Sequence, residues 1–221
     1  MKKTAIILGA SGLTGHLILQ KLIDDDRYDH IKLFSRSKIG GLPSKVSQFT
    51  GDLLKLEQFK AVFRADEVYC CIGTTTKKTP DKMLYKEIDY GIPVTAAKLS
   101  KENNIATFLV ISAMGANKNS TLFYNRTKGE MEHDVIQQNI TTTFILRPSL
   151  IGGERNEHRL LEKIGLMIFK VIEPLFIGRL NKYKSVKAET IAQAMINLAN
   201  TTSQSEVIIT SEHIHIVGKD T

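Results

Sequence analysis

A phenol and an ammonium set four residues apart on a helix share one face, where the cation lowers the phenol pKa and equips it to give a proton to a reacting oxygen. The sequence holds three such pairs, Tyr28/Lys32, Tyr124/Lys128 and Tyr183/Lys187, so the pattern alone selects nothing. Position separates them. Tyr28 falls in the connection before an expected second strand, at the sheet edge away from ligands, and Tyr183 lies in a basic segment far past the sixth strand. Tyr124 opens a helix after an expected fifth strand whose last residue is Ser112, so the two hydroxyls can converge at the carboxyl edge of a sheet. Ser112, Tyr124 and Lys128 are therefore the expected catalytic set. Tyr124 gives a proton to a substrate oxygen, Ser112 orients that carbonyl, and Lys128 keeps the phenol acidic near neutral pH.

A second group has phosphate chemistry. Gly9-Ala10-Ser11-Gly12-Leu13-Thr14-Gly15 follows an apolar strand and opens an amphipathic helix, the context in which backbone N–H groups and a helix dipole face a pyrophosphate. Gly9 permits the tight exit, Gly12 the approach of backbone to phosphate, and Gly15 close packing of helix on sheet, with Ser11 and Thr14 adding hydroxyls. The motif predicts dinucleotide binding. About twenty residues on, where an NAD site usually carries an acid, the second strand ends in Ser35-Arg36-Ser37-Lys38. A guanidinium with Ser37 beside it fits a 2′-phosphate, which favours NADP(H) over NAD(H). Asp52 and Leu53 follow the third strand at the adenine, although Asp52 serves equally as a helix N-cap. Ile72, Gly73 and Thr74 follow the fourth strand, where backbone passes the ribose. Pro148 fixes an extended exit from the sixth strand beside the nicotinamide, and Arg155 or Arg159 can close over the phosphates.

These residues need elements to hold them. Short β-branched runs alternate with amphipathic stretches, the mark of a doubly wound α/β Rossmann fold with a mostly parallel sheet of about seven strands. Strands are expected at Thr4 to Leu8, Ile31 to Ser35, Val46 to Thr50, Glu67 to Ile72, Thr107 to Ser112, Thr142 to Leu146 and Glu206 to Thr210. Helices are expected near Leu13 to Asp24, Leu54 to Phe63, Met83 to Asn103, Phe123 to Asn139 and Glu189 to Asn200. Residues 1–221 read as one nucleotide-binding domain, with 151–188 as a substrate-side lid segment. Its apolar stretch from Arg159 to Ile177 is too charged to span a bilayer and is read as a lid, a subunit interface or a membrane-surface helix.

The 221 residues, 42% hydrophobic and 24% charged, have the balance of a globular protein rather than a disordered or membrane one. A formal charge of +7 suits a phosphate-bearing small molecule. Scattered Lys and Arg without Trp exclude an ordinary nucleic-acid reader. Cys70 and Cys71 are adjacent in an apolar run and read as strand packing in a reducing compartment, and with no export signal a cytoplasmic location is expected. His213 and His215 alternate as on a strand but have no completing ligand, and His133 lies on a helix surface, so no metal is expected.

Together these motifs resemble the atypical short-chain dehydrogenase/reductase superfamily. More narrowly, Val68-Tyr69-Cys70-Cys71-Ile72-Gly73-Thr74-Thr75, Ile111-Ser112-Ala113-Met114-Gly115-Ala116 and Tyr124-Asn125-Arg126-Thr127-Lys128-Gly129-Glu130 resemble the family of the human Tat-interactive-protein oxidoreductase, with similarity from the N-terminus to about Arg159. The resemblance implies an NADPH-binding fold with Tyr124 as proton donor or acceptor. It also implies cofactor contacts at Ser11, Gly12, Leu13, Thr14, Arg36, Ser37, Ile72, Gly73, Lys128, Ile151 and Arg159. The expected function is NADPH-dependent reduction of a carbonyl or related small molecule. The alternative is a non-catalytic protein that senses NADP(H). The substrate and the oligomeric state, including a homo-oligomer, stay open.

Overall fold

The computed structural model describes residues 2–149, 151–152, 185–201 and 207–219. Seven strands form a wholly parallel sheet: β1 (Lys3–Leu8), β2 (Tyr28–Ser35), β3 (Val46–Thr50), β4 (Glu67–Cys70), β5 (Thr107–Ile111), β6 (Thr142–Arg147) and β9 (Ile208–Thr210), in the order β3-β2-β1-β4-β5-β6-β9. A small parallel pair, β7 (Ile151–Gly152) with β8 (Val186–Lys187), lies outside it. The strand order reverses between β1 and β4, and ligands of such sheets bind at the carboxyl ends flanking that reversal.

The central strands read as apolar runs because both faces are covered. In β1, Ala5 and Ile7 enter one core while Ile6 and Leu8 enter the other, and all four are fully buried. Burial of each large aliphatic side chain contributes about 1.5–3 kcal/mol. The first core is closed by α1 (Leu13–Asp24) and a later helix (Ala188–Ala199), the second by α3 (Ile92–Glu102), α4 (Phe123–Ile136) and a 3-10 helix (Leu53–Phe59). In α1 the buried residues Gly15, Ile18, Leu19 and Leu22 recur at helical spacing. The later helix, α5 (Ala188–Ala199), buries Ala188, Ala192 and Ala194 among Ile191 and Met195. Beyond the sheet edge strand follows α6 (Ser211–Val217).

Three local expectations are corrected. The helix expected from Met83 to Asn103 is broken into α2 (Lys82–Lys86), a π-helical turn (Glu87–Gly91) and α3. Pro93 has no N–H to return to the preceding turn, and the Ile92 N–H bonds five residues back to Glu87. The stretch bearing His213 and His215 is helix, not strand, with the Thr210 side chain accepting from the His213 N–H, so their strand-like alternation is not realised. β2 begins at Tyr28 rather than Ile31, placing Tyr28 on the strand itself, with Lys32, instead of in the connection ahead of it.

Candidate functional site

The glycine turn is built around close backbone contact. Gly9 has φ +86, and a Cβ there would lie 2.8 Å from the Cys71 carbonyl oxygen. A Cβ on Gly15 would lie 2.2 Å from the Gly9 oxygen, so the first turn of α1 rests directly on the strand exit. Gly12 is the N-cap of α1 and no side chain caps the helix, which leaves first-turn N–H groups for a ligand anion. Bare backbone, an open cap and a positive dipole end together fit a pyrophosphate. Ser11 is exposed, Leu13 half-buried and Thr14 buried at the same turn.

Arg36 and Ser37 are exposed at the tip of β2, where Ser35 Oγ donates to the Ser37 carbonyl at 2.7 Å and the Gly51 N–H donates to the Ser35 carbonyl at 3.0 Å. The tips of β2 and β3 are thus joined. Asp52 is used as an N-cap, accepting from the Leu54 N–H at 3.0 Å, and Leu53 is buried. Past β4, Ile72 is half-buried and Gly73 exposed, and the Thr74 N–H donates to Asp89 Oδ2 at 2.7 Å. Adjacent Cys70 and Cys71 face opposite cores. Burial pushes the Cys70 thiol up to about 12 and raises Cys71 well above its usual value, so both are inert packing groups.

Tyr124 and Lys128 lie on one face of α4, with Lys128 buried and Tyr124 41% exposed. The Lys128 ammonium is held 2.9 Å from Asp89 Oδ1 and 3.5 Å from the Ile111 carbonyl, which ties α4 to the tip of β5 beside Ser112. Burial disfavours the Lys128 charge, but Asp89 and then Tyr124 outweigh it and raise its pKa, so the cation persists. The sign at Tyr124 differs from expectation. Although much of the ring is exposed, low-dielectric surroundings at the hydroxyl raise its pKa, Lys128 lowers it, Asp89 raises it again, and the net shift is upward. Burial outweighs the cation's pull, part of which Asp89 cancels, and Tyr124 stays protonated at neutral pH.

Ser112 is buried, and its Oγ donates to Glu132 Oε1 at 2.5 Å. Glu132 also holds Arg147 at the end of β6 through Nε at 2.9 Å and the second terminal nitrogen at 2.5 Å. A carboxylate paired in this way only accepts, so the Ser112 hydrogen is committed to it. The Met114 N–H donates to the carbonyl of buried Pro148 at 2.9 Å, joining the loops after β5 and β6. Ile151 is 41% exposed in β7.

The other tyrosine–lysine pairs fall away. Tyr28 is buried in a bond to Glu67 at 2.7 Å, while Lys32 donates to the Val62 and Arg64 carbonyls. Tyr183 lies outside the described residues, as do Arg155, Arg159 and most of the 151–188 segment. Sequence reasoning missed Asp89, Glu132 and the partner role of Arg147. Glu132 was findable, since it continues the Tyr124/Lys128 face by a further four residues; Asp89 has no local signal beyond an acid between apolar neighbours in a helix ahead of Pro93. Among the described residues no group of acids, histidines or cysteines could hold a metal ion, and no helix is long and apolar enough to cross a membrane.

Residues 9–170 match the model of a family described as NAD(P)H-binding. The mitochondrial protein FMP52 of Candida glabrata is 34% identical over 163 residues, covering 71% of this chain and 67% of its own length. Protein HTATIP2 of Rattus norvegicus is 28% identical over 225 residues, covering 99% and 90%. Of solved structures, WbmH of Bordetella bronchiseptica in complex with NAD+ superimposes with a TM-score of 0.68 at 15% identity, over 92% of this chain and 74% of that one, a likeness of fold. The cytoplasmic expectation is corrected by these relatives: FMP52 proteins from Candida glabrata, Debaryomyces hansenii and Candida albicans are all named as mitochondrial. The chain belongs to the NAD(P)H-binding family and is similar to FMP52 and HTATIP2 along most of its length.

Proposed function

We propose that this protein is an NADPH-dependent reductase of a carbonyl or related small molecule, working as one domain with residues 151–188 on the substrate side. The observation that carries the reading is the Tyr124/Lys128 face anchored by Asp89 at the tip of β5. The cofactor would be held at its pyrophosphate by Gly9, Ser11, Gly12, Leu13, Thr14 and Gly15. Arg36 and Ser37 would take the 2′-phosphate, with Leu53 beside the adenine and Ile72, Gly73 and Thr74 along the ribose. Lys128, Pro148 and Ile151 would lie by the nicotinamide half, and Arg159 would close over the phosphates. Asp52, committed to its cap, would contribute through its position rather than a free carboxylate. Bound NADPH supplies the two electrons and one hydrogen of the reduction.

The residues of the chain do the rest. Tyr124, kept protonated, hydrogen-bonds the substrate oxygen and releases its proton to that oxygen as negative charge develops. Lys128, charged at neutral pH, stabilises the phenolate left behind and donates to the ribose. Asp89 is a positioning residue that fixes the ammonium between phenol and β5. Ser112 orients the same carbonyl only by exchanging its bond to Glu132 for one to substrate, after which Glu132 retains Arg147. Tyr124→Phe tests the assignment: NADPH consumption with a panel of aldehydes and ketones should fall by at least about a hundredfold, with NADPH affinity by fluorescence titration within about twofold. A variant that kept turnover would remove Tyr124 as the proton donor. A wild type that bound NADPH tightly without any turnover would instead support the sensing role.

A further inference from the structure

Tyr85, in α2, is 1% exposed, and its hydroxyl has no hydrogen-bond partner among the described residues. Burying a hydroxyl without a partner costs stability, and phenylalanine would fill the same space without that cost. The ring packs beside the start of α4. The Tyr85 ring meets Phe123, the residue before Tyr124, edge-on at 5.5 Å, and the Lys82 ammonium lies 5.8 Å from the Phe123 ring centre. Asp89 is on the next turn of the same helical stretch. Burial raises the Tyr85 pKa, and the charges of Asp89 and of an ionised Tyr124 raise it further, so the group stands in the same electrostatic neighbourhood as the proposed proton donor. It remains protonated at neutral pH and has a hydrogen to give.

We propose that Tyr85 is a substrate-binding residue that donates a hydrogen bond to a second oxygen of the substrate, so that the substrate class is a carbonyl compound bearing a further hydroxyl, carbonyl or carboxylate oxygen. This rests on the reductase reading and deepens it. Tyr124 serves the reacting oxygen and Tyr85 the other one. A site built to bond an oxygen discriminates against the analogue that lacks it, because its own polar group is then left buried and unpaired.

The test compares wild type with Tyr85→Phe on 2-hydroxyacetophenone, benzoylformate and acetophenone, the last lacking the second oxygen. Wild type should show a KM at least about tenfold lower for one of the two bifunctional compounds than for acetophenone, and Tyr85→Phe should erase most of that ratio with NADPH affinity within twofold. In parallel, thermal shifts of the NADP+ complex with each compound report binding without turnover. Tyr85→Phe alone should melt at or above the wild-type temperature, since it removes an unpaired hydroxyl. If wild type is shifted by a bifunctional compound and the variant is not, yet neither turns over any carbonyl, the reductase reading fails and the Tyr85 contact stands. If the bifunctional compounds give wild type no advantage in KM or thermal shift, or the advantage survives in Tyr85→Phe, the proposal is overturned, as it would be by an ordered water satisfying the phenol.

Discussion

Replacing Asp89 by Asn keeps the shape of the side chain and deletes the counter-charge of Lys128. Asp89 and Lys128 are buried, at 1% and 4% side-chain exposure, and 2.9 Å apart. At an effective dielectric of about 20 the attraction across that distance is about 6 kcal/mol. Removing one partner of a buried pair typically costs about 3–5 kcal/mol, because the survivor is left charged without compensation. The lower range is expected here, since Lys128 can relieve itself by giving up its proton. For a chain of this size that corresponds to a fall in Tm of about 6–20 °C. An Asn oxygen turned toward Thr74 preserves the bond from its N–H, so the loss reports the charge. The assay is thermal unfolding followed by circular dichroism at pH 7, with Asp89→Asn, Lys128→Met and the double variant Asp89→Asn/Lys128→Met. The double variant should be more stable than Asp89→Asn, since no buried charge is left over. In Asp89→Asn the lysine pKa falls below its unfolded value, so the deficit should shrink as pH rises from 7 toward 10. A Tm within 2 °C of wild type, or a double variant losing the sum of both singles, would refute the pairing.

Arg36→Ala should weaken NADPH binding by about tenfold or more, the scale of a lost charge-assisted hydrogen bond, and leave NADH affinity within twofold. Equal affinity of wild type for both cofactors would remove the argument from Arg36. Gly15→Ala should destabilise the fold and weaken cofactor binding together, because its Cβ would meet the Gly9 carbonyl at 2.2 Å; overpacking of this kind costs about 1–3 kcal/mol, read by urea denaturation, and an unchanged midpoint would contradict the geometry. Alkaline titration tests the phenols held in the fold. Tyr28, Tyr69, Tyr85, Tyr90 and Tyr124 all have pKa values raised above the usual 10.0 in the fold. Groups shifted in that direction contribute stability that is full below about pH 10 and is lost as pH rises through the folded value. Phenolate absorbance should therefore appear together with loss of the far-ultraviolet signal. Most of it developing near pH 10 in a still-folded protein would count against the shifts.

The sheet was legible because strands covered on both faces are apolar runs of strand length, and the register of the glycine turn with β1 and α1 followed from local sequence. Legibility failed where a neighbour decides the outcome. Tyr28, Asp29 and His30 have no strand pattern of their own. Tyr28 is drawn into β2 by parallel pairing with β1 and by its bond to Glu67. His213-Ile214-His215-Ile216 alternates like a strand, but burial of Ser211 and Ile214 and the Thr210 cap make it a helix. The candidate site divides along the same line. Tyr124 and Lys128 belong to one helix, so their spacing could be read directly. Asp89 reaches Lys128 from a π turn created by Pro93, and Glu132 gathers Ser112 and Arg147 only because β5 and β6 are neighbours. A tyrosine–lysine pair taken alone predicts an acidified phenol, whereas burial of the hydroxyl, with Asp89 adding to it, outweighs the cation and gives a phenol whose pKa is raised. Such a group is a poor base at neutral pH but a persistent proton donor. That favours the reducing direction, in which the substrate oxygen must gain a proton, over oxidation of an alcohol, in which the phenol must first lose one.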